Sequence, residues 1–364
     1  MALRYDYIPT SLDGISSALT KLFSSLETKD KTFNRAAHSN VIIPVSAVGL
    51  LESIESEIDT LSLVHPSRFF VVYLDEAQPV PTASVSARCH ALSKTEHVCS
   101  EVVRIACSRA GFVAVPSLIR ANSLTDMATE VYLADVRVPA DVLNLLIVPG
   151  NTLILDSANF EQRYDELDHL EHLVGSVLDL QWVGLGLWRD EIKDLFGRPL
   201  VREYTRAVRS VEISSSSASG SDGPAALLLA GWIAGRLGLS RTLTRVEDGV
   251  LCSDGGGREL KVKFNITRAS GPSKLSEVLF TFDPLRVGSS PQSQYIRLRR
   301  NGEALETMVD LNVSYRTTRP FDDESAAGRI RRYFLIGESM TNYTAASRVA
   351  LEVARLRATP AQTK

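Results

Sequence analysis

Residues 65–107 read HPSRFFVVYLDEAQPVPTASVSARCHALSKTEHVCSEVVRIAC. Phe69, Phe70, Val71, Val72, Tyr73 and Leu74 form an unbroken apolar run, the pattern of a strand buried on both faces. Val85, Ala87, Cys89 and Ala91 then alternate with Ser84, Ser86, Arg88 and His90, a period of two that predicts a strand with one wet face. In the third run Val98, Val103, Ile105 and Cys107 mix with Glu101 and Arg104, again in the manner of a strand. Short polar breaks join the three. The stretch predicts a sheet and, taken alone, no reaction.

On the amino side, Leu12, Ile15, Leu19, Leu22 and Leu26 recur at helical spacing behind a Thr10/Asp13 capping pattern, so a first helix is expected to end near Glu27. Residues 28–39 are polar and are expected as a mobile connection. Val41, Ile42, Ile43 and Val45 predict a short strand. Leu50, Leu51, Ile54, Ile58 and Leu61 make the stripe of a second helix, with Glu52, Glu55 and Glu57 expected to face water. This alternation is that of an α/β layer.

On the carboxy side, Pro116 can open a helix that runs to Val131. Residues 142–148 are densely apolar, 152–156 predict a strand, and helices are expected over 161–175 and 191–196. Residues 214–223, SSSSASGSDG, have the composition of a linker. The next segment, AALLLAGWIAGRLGL, is apolar nearly all round, so it predicts a buried helix; Gly231 and Gly235 on it suit close packing against a sheet. From Thr242 to Tyr315 strands alternate with turn signals at 255–257 and at Asn301-Gly302, and a last helix begins near 339. The expected fold class is therefore α/β: an amino-terminal α/β sheet domain over 1–213, a linker at 214–223, and a carboxy-terminal α+β domain with an antiparallel sheet over 224–364.

The 364 residues are too many for one ordinary core. Hydrophobic content of 44% with 23% charged residues is that of a soluble globular protein. A net charge of −3 supplies no basic footprint for nucleic acid. No run reaches the roughly 18 apolar residues of a membrane span, and no secretory signal opens the chain, so a cytoplasmic location is expected. Cys89, Cys99, Cys107 and Cys252 show no CxxC spacing and are expected as buried, reduced thiols.

Asp165, Asp168, His169 and His172 share one helical face at metal-ligand spacing, but apolar residues take the opposite face, which favours a solvated face over a metal site. Gly184-x-Gly186 lacks the third glycine of a dinucleotide loop, and neither GxxxxGK[ST] nor GxSxG occurs. His97 and Cys99 lie two apart on one strand face and could touch as a thiol–imidazole pair. His65 and Arg68, at the start of a strand, suit a loop contact to a partner or a structural cap equally. Arg297, Arg299, Arg300, Arg329, Arg331 and Arg332 form a basic set, read as a solvated face ahead of a docking patch. Trp182, Trp188 and Trp232 are expected in the core. No catalytic, cofactor-binding or metal residue is assigned, and the partner-binding residues are left unknown.

Several short motifs in order carry a resemblance: His65-Pro66-Ser67-Arg68, Ser86-Ala87-Arg88-Cys89-His90, Cys99-Ser100-Glu101, Asp179-Leu180-Gln181-Trp182 with Trp188-Arg189, Leu228-Leu229-Ala230-Gly231-Trp232 and Arg236-Leu237-Gly238. Together they resemble the OpcA family, the assembly and activator proteins of bacterial glucose-6-phosphate dehydrogenase. The resemblance implies a non-enzymatic protein that binds that dehydrogenase and favours its active form, in support of NADPH production by the oxidative pentose phosphate pathway, with no cofactor of its own. The alternatives are an enzyme holding a sugar phosphate or nucleotide in its α/β domain, or a scaffold for another partner.

Overall fold

The computed structural model describes residues 2–27, 32–160, 164–174, 176–217, 223–270, 274–283, 294–321, 325–336 and 340–358. The chain forms two compact units interleaved in sequence. The first comprises Met1–Asp156, His169–Leu180 and Ser325–Gly337; the second comprises Ser157–Asp168, Gln181–Glu324 and Glu338–Lys364.

The strands of the first unit are β1 (Leu3–Arg4), β2 (Ile8–Thr10), β3 (Thr32–Arg35), β4 (Ser39–Val45), β5 (Arg68–Leu74), β6 (Thr82–Ala91), β7 (Glu96–Cys107), β8 (Ala128–Tyr132), β9 (Thr152–Leu155) and β10 (Ser176–Asp179). Among them run α1 (Ile15–Leu26), α2 (Leu51–Val64), α3 (Val115–Asn122), α4 (Ala140–Leu146) and α5 (Tyr164–Leu173). The sheet order is β1-β6-β7-β5-β4-β8-β9-β10, with β2 added on β6 and β3 on β7. Six neighbouring strands of this path run parallel, β7, β5, β4, β8, β9 and β10, and β3 adds to β7 in the same direction. Numbered by their own succession in the chain the six lie in the order 3-2-1-4-5-6, the doubly wound order of dinucleotide-binding folds. The hairpin strand β6 takes the place of a crossover helix between β5 and β7.

The three strands expected over 65–107 are β5, β6 and β7. The wet face expected on β6 is not wet: Ser86, Arg88 and His90 are buried. The reason is α2. Glu55, expected to face water, is buried and ion-paired with Arg88, whose guanidinium also lies 3.0 Å from Asp59. Arg104 joins at 2.8 Å and the Tyr7 hydroxyl donates to Glu55 Oε1 at 2.6 Å. Charges of opposite sign on a strand and on the helix above it therefore close a face that hydrophobic periodicity reads as open. On the other face of β6, Ala87 and Cys89 pack with Leu22, Phe23, Phe33 and Cys99.

Other expectations shift locally. The polar connection at 28–39 contains β3, which pairs with the start of β7, and the first residue of β4; residues 28–31 lie outside the described set. The helix opened by Pro116 stops at Asn122, because the apolar residues at 128–132 pair with β4 as β8. Of the helix expected over 161–175, residues 161–163 and 175 lie outside the described set.

The second unit holds α6 (Leu180–Gly184), α7 (Gly186–Gly197), α8 (Pro199–Arg202), β11 (Val208–Ser217), α9 (Pro224–Arg236), β12 (Thr242–Val246), β13 (Gly249–Ser253), β14 (Glu259–Arg268), β15 (Lys274–Phe282), β16 (Tyr295–Asn301), β17 (Ala304–Asp310) and β18 (Ser314–Pro320). The chain then forms α10 (Ala326–Ile336), which belongs to the first unit, and α11 (Met340–Ala358). The eight strands lie in the order β12-β13-β14-β11-β15-β16-β17-β18. All neighbours are antiparallel except β11 and β14. The serine run expected as a linker begins inside β11. Residues 214–217 pair with β14 and 214–216 also with β15, so ladder hydrogen bonds order a segment with no large apolar side chain; residues 218–222 lie outside the described set.

One face of this sheet carries α9, buried along its whole apolar length, with α11 packed on it. Gly231 is where the two helices meet. A Cβ there would stand 2.4 Å from the Ala346 carbonyl oxygen, so close packing holds as expected, but against a helix. Trp182, Trp188 and Trp232 are buried as expected. Among the described residues no helix is long and apolar enough to cross a membrane.

Candidate functional site

In a doubly wound sheet the ligand crevice opens at the carboxyl ends of the strands, where the order reverses. Here that point lies between β4 and β8. The chain leaves β4 through Ser46, Ala47, Val48 and Gly49 and enters α2 at Leu51. A phosphate cradle at this turn needs glycines, so that the backbone can approach the pyrophosphate, and free N–H groups at the helix start. The segment has one glycine, and a Cβ on Gly49 would meet nothing within 4 Å. Ser46 N–H is already engaged: it donates to Asp135 Oδ2 at 2.8 Å from the loop after β8.

Asp135 is buried and also accepts the backbone N–H of Arg137 at 3.1 Å and its Nε–H at 3.0 Å. Burial by itself would raise this carboxyl's pKa, but the hydrogen bonds from Ser46 and Arg137 outweigh it and hold the group below its ordinary value. A carboxylate paired with Arg137 therefore already occupies the turn that would have to receive a phosphate, and Glu52, 3.5 Å from Arg4, adds a second in the first turn of α2. Asp75, at the end of β5, has the position of a ribose-binding acid; its Oδ1 accepts the Ala77 N–H at 3.0 Å and closes a local turn. Farther along α2, burial raises the pKa of Glu57, which accepts the Tyr132 hydroxyl at 2.9 Å. The frame is that of a cofactor fold, with its phosphate turn closed by its own side chain.

The amino ends of the same strands hold a second polar set. Ser39 Oγ lies 2.9 Å from His65 Nε2, 3.1 Å from Ser67 Oγ and 3.1 Å from Glu130 Oε2, all of them buried. The residue types are those of a hydrolase triad, but the arrangement is not. The carboxylate and the imidazole converge on one hydroxyl, with Glu130 3.6 Å from Nε2, instead of the acid orienting the far ring nitrogen. Ser39 is only 1% exposed. The His65 ring stacks on Phe334 at 3.8 Å. Arg68 is paired with Glu101, which also takes Arg35, and donates to the Asn122 carbonyl. Of the two readings of His65 and Arg68, the structural one fits these contacts.

The remaining candidates do not assemble. Among the described residues no group of His, Cys, Asp or Glu could hold a metal ion; Asp165 and Asp168 instead pair with Arg355 at 3.1 and 2.7 Å. The thiol–imidazole pair is excluded because Cys99 is bonded to Cys89, its direct cross-strand partner, in a disulfide. This corrects the expectation of four reduced thiols. Cys107 and Cys252 are free and buried, and burial pushes their pKa values up to about 11 and about 12. His97 stacks on Phe33 and His90 meets Ser62 Oγ at 2.8 Å. Gly184 and Gly186 lie in α6 and α7. The basic set divides between the units: Arg329 donates to the Leu180 carbonyl in the first, whereas Arg297 and Arg299 share Glu277 in the second.

Of the basic set, Arg297 and Arg299 lie on the uncovered face of the eight-stranded sheet, whose other residues the sequence did not single out. Register places Glu212, Leu279, Arg297, Met308 and Arg316 in one row across five strands. The next positions add Tyr295, Glu277 and Glu306. These residues alternate with the buried ones facing α9, and they are half-buried or exposed. Tyr295 donates to Met308 Sδ at 3.2 Å and lies under Arg297. Glu306 accepts from Asn301 and Arg316, and both hold its carboxyl below the usual range. Tyr, Met and Arg are the residue types enriched at protein interfaces. Period-two alternation marks such a face in sequence, but only the pairing of strands shows that the rows line up.

Residues 176–272 match the family described as the carboxy-terminal domain of the glucose-6-phosphate dehydrogenase subunit. No curated protein matches the chain. Among solved structures, an oxidoreductase from Sinorhizobium meliloti is 10% identical and aligns over 88% of this chain and 97% of its own, with a TM-score of 0.51. Biliverdin reductase from Synechocystis sp. PCC 6803, solved with biliverdin and NADP+, is 11% identical over 88% of this chain and 98% of that one, with a TM-score of 0.43. A super-repressor mutant of Gal80p from Saccharomyces cerevisiae is 10% identical over 88% and 94%, with a TM-score of 0.43. At this identity the first likeness is one of fold alone.

Proposed function

We propose, from the premise that residues 176–272 make this chain a member of the OpcA family, that it is a non-catalytic assembly factor and activator of glucose-6-phosphate dehydrogenase. The single observation that carries the non-catalytic part is the Ser46–Asp135 hydrogen bond at 2.8 Å. It uses the backbone donor that a bound cofactor's phosphate would need, and it places a carboxylate there. The Ser39–His65–Glu130 cluster supports the same reading, because its acid and imidazole meet on one hydroxyl that is buried away from any substrate.

The dehydrogenase docks, in this reading, on the uncovered sheet face. Ion pairs there such as Arg297–Glu277 are surface pairs, individually worth about 0–1 kcal/mol, so a partner can exchange them at small cost. Binding shifts the dehydrogenase toward its active conformation or oligomer only by the difference in affinity for the two states. The location expected is the cytoplasm, with no nucleic-acid or membrane partner. The test is NADP+ reduction by the same organism's dehydrogenase at low glucose 6-phosphate, with and without this protein. A rise in rate, with no turnover by this protein alone, is the expected result. An unchanged rate without co-elution overturns the proposal.

A further inference from the structure

On the helix-bearing side of the second unit's sheet, opposite the uncovered face, there is a cavity of about 450 Å³. Its floor is apolar: Ile192, Phe196, Trp232 and Phe280, with Phe196 and Phe280 in edge contact at 5.2 Å. Its charged lining is of one sign, with Thr205 as a neutral polar neighbour. Lys193 on α7, Arg202 at the end of α8 and Arg236 at the end of α9 contribute side chains, and no Asp or Glu does.

The three cations are not equally free. Lys193 pairs with Asp190 at 2.7 Å, and Arg236 offsets the carbonyl end of α9 in part. Arg202 and Arg236 have no carboxylate partner among the described residues. A concave apolar site lined by charge of one sign concentrates ligands of the other. The volume lies within the range of roughly 300–1,000 Å³ typical of small-molecule sites.

The geometry points to a binding site for a small organic anion, its apolar body on Trp232, Phe196 and Phe280 and its carboxylate, sulfonate or phosphate head on Arg202 and Arg236. An inorganic anion would forgo the floor; a neutral apolar molecule would leave the guanidiniums without counter-charge. The site is independent of the proposed action on the dehydrogenase, since it concerns a ligand of this chain alone.

The test uses the full-length protein and the aromatic sulfonate 1-anilinonaphthalene-8-sulfonate as fluorescent probe. One saturable site is expected, emptied by octanoate and unaffected by inorganic phosphate at the same concentration. R202Q/R236Q should weaken both the probe and octanoate at least about tenfold, the loss of one charge-assisted contact. Both arginines are exposed, so unchanged melting is expected and separates lost binding from lost folding. Non-saturable binding, displacement by phosphate as good as by octanoate, or undiminished affinity in the double variant overturns the proposal.

Discussion

The two sheets use charge in opposite ways. In the parallel sheet, Arg88 and Glu55 are 1% and 2% exposed, and Arg68 and Glu101 are similarly enclosed. In the eight-stranded sheet, Arg297, Arg299 and Arg316 are 40%, 67% and 57% exposed, and their carboxylate partners are shared or loosely held. A buried charge that loses its partner is stranded without water, whereas an exposed one is resolvated at little cost. Charge in the first sheet therefore fixes architecture, and charge in the second is available to a partner.

The largest effect that would break this contrast is at Glu55. E55A leaves buried Arg88 with Asp59 as its one remaining carboxylate among the described residues and is expected to cost about 3–5 kcal/mol in urea unfolding. The pair-removing variant E55L/R88M should recover most of that loss. A loss below about 1 kcal/mol for E55A would mean that the buried network carries no more than a surface pair does. Next comes the disulfide of the same sheet. It closes a loop with a sequence separation of 10, and C89A/C99A is expected to cost about 2–3 kcal/mol through unfolded-chain entropy.

Asp135 gives a smaller effect with a pH signature. Its folded pKa is lowered, so its contribution to stability is fully present above the unfolded value of 3.8 and is lost as the pH falls through the lowered folded value. D135N should cost on the order of 1 kcal/mol at pH 7, and the difference from the parent should shrink as acid protonates the carboxylate. A difference that stays constant from pH 7 to pH 2.5 would remove the charge from the account. The same variant should not acquire NADPH binding, because Ser46 and Val48 still stand where a cradle needs glycine.

What could be read from sequence follows the same division. The core strands β5 and β9 are legible because a strand buried on both faces is a continuous apolar run, whereas β7 is legible only as apolar residues spaced among Glu101 and Arg104. The polar face of β6 was misread because periodicity cannot distinguish water from an oppositely charged helix: Ser86, Arg88 and His90 look the same in either setting. Glu55 was misplaced for the same reason, seen from the other side. The serine strand within β11 was hidden because its order comes from backbone bonds to β14 and β15, far away in sequence. The phosphate turn was half legible. Missing glycines argue against a cofactor, but only the fold brings Asp135 to Ser46 across 89 residues.

The smallest effect on stability should be the largest on function. R297E/R316E reverses two charges in one row of the uncovered face, and neither residue is buried. Unfolding should move by no more than about 0.5 kcal/mol, as for surface substitutions away from special features. If the dehydrogenase docks on this face, the variant should lose its activation of NADP+ reduction while remaining folded, because like charges facing a complementary surface cost several kcal/mol. E55L/R88M, whose changes are enclosed in the first unit, should activate as the parent does. The crossed result, with activation surviving R297E/R316E but lost in the folded E55L/R88M, would place the partner on the parallel sheet and reverse the assignment of roles to the two sheets.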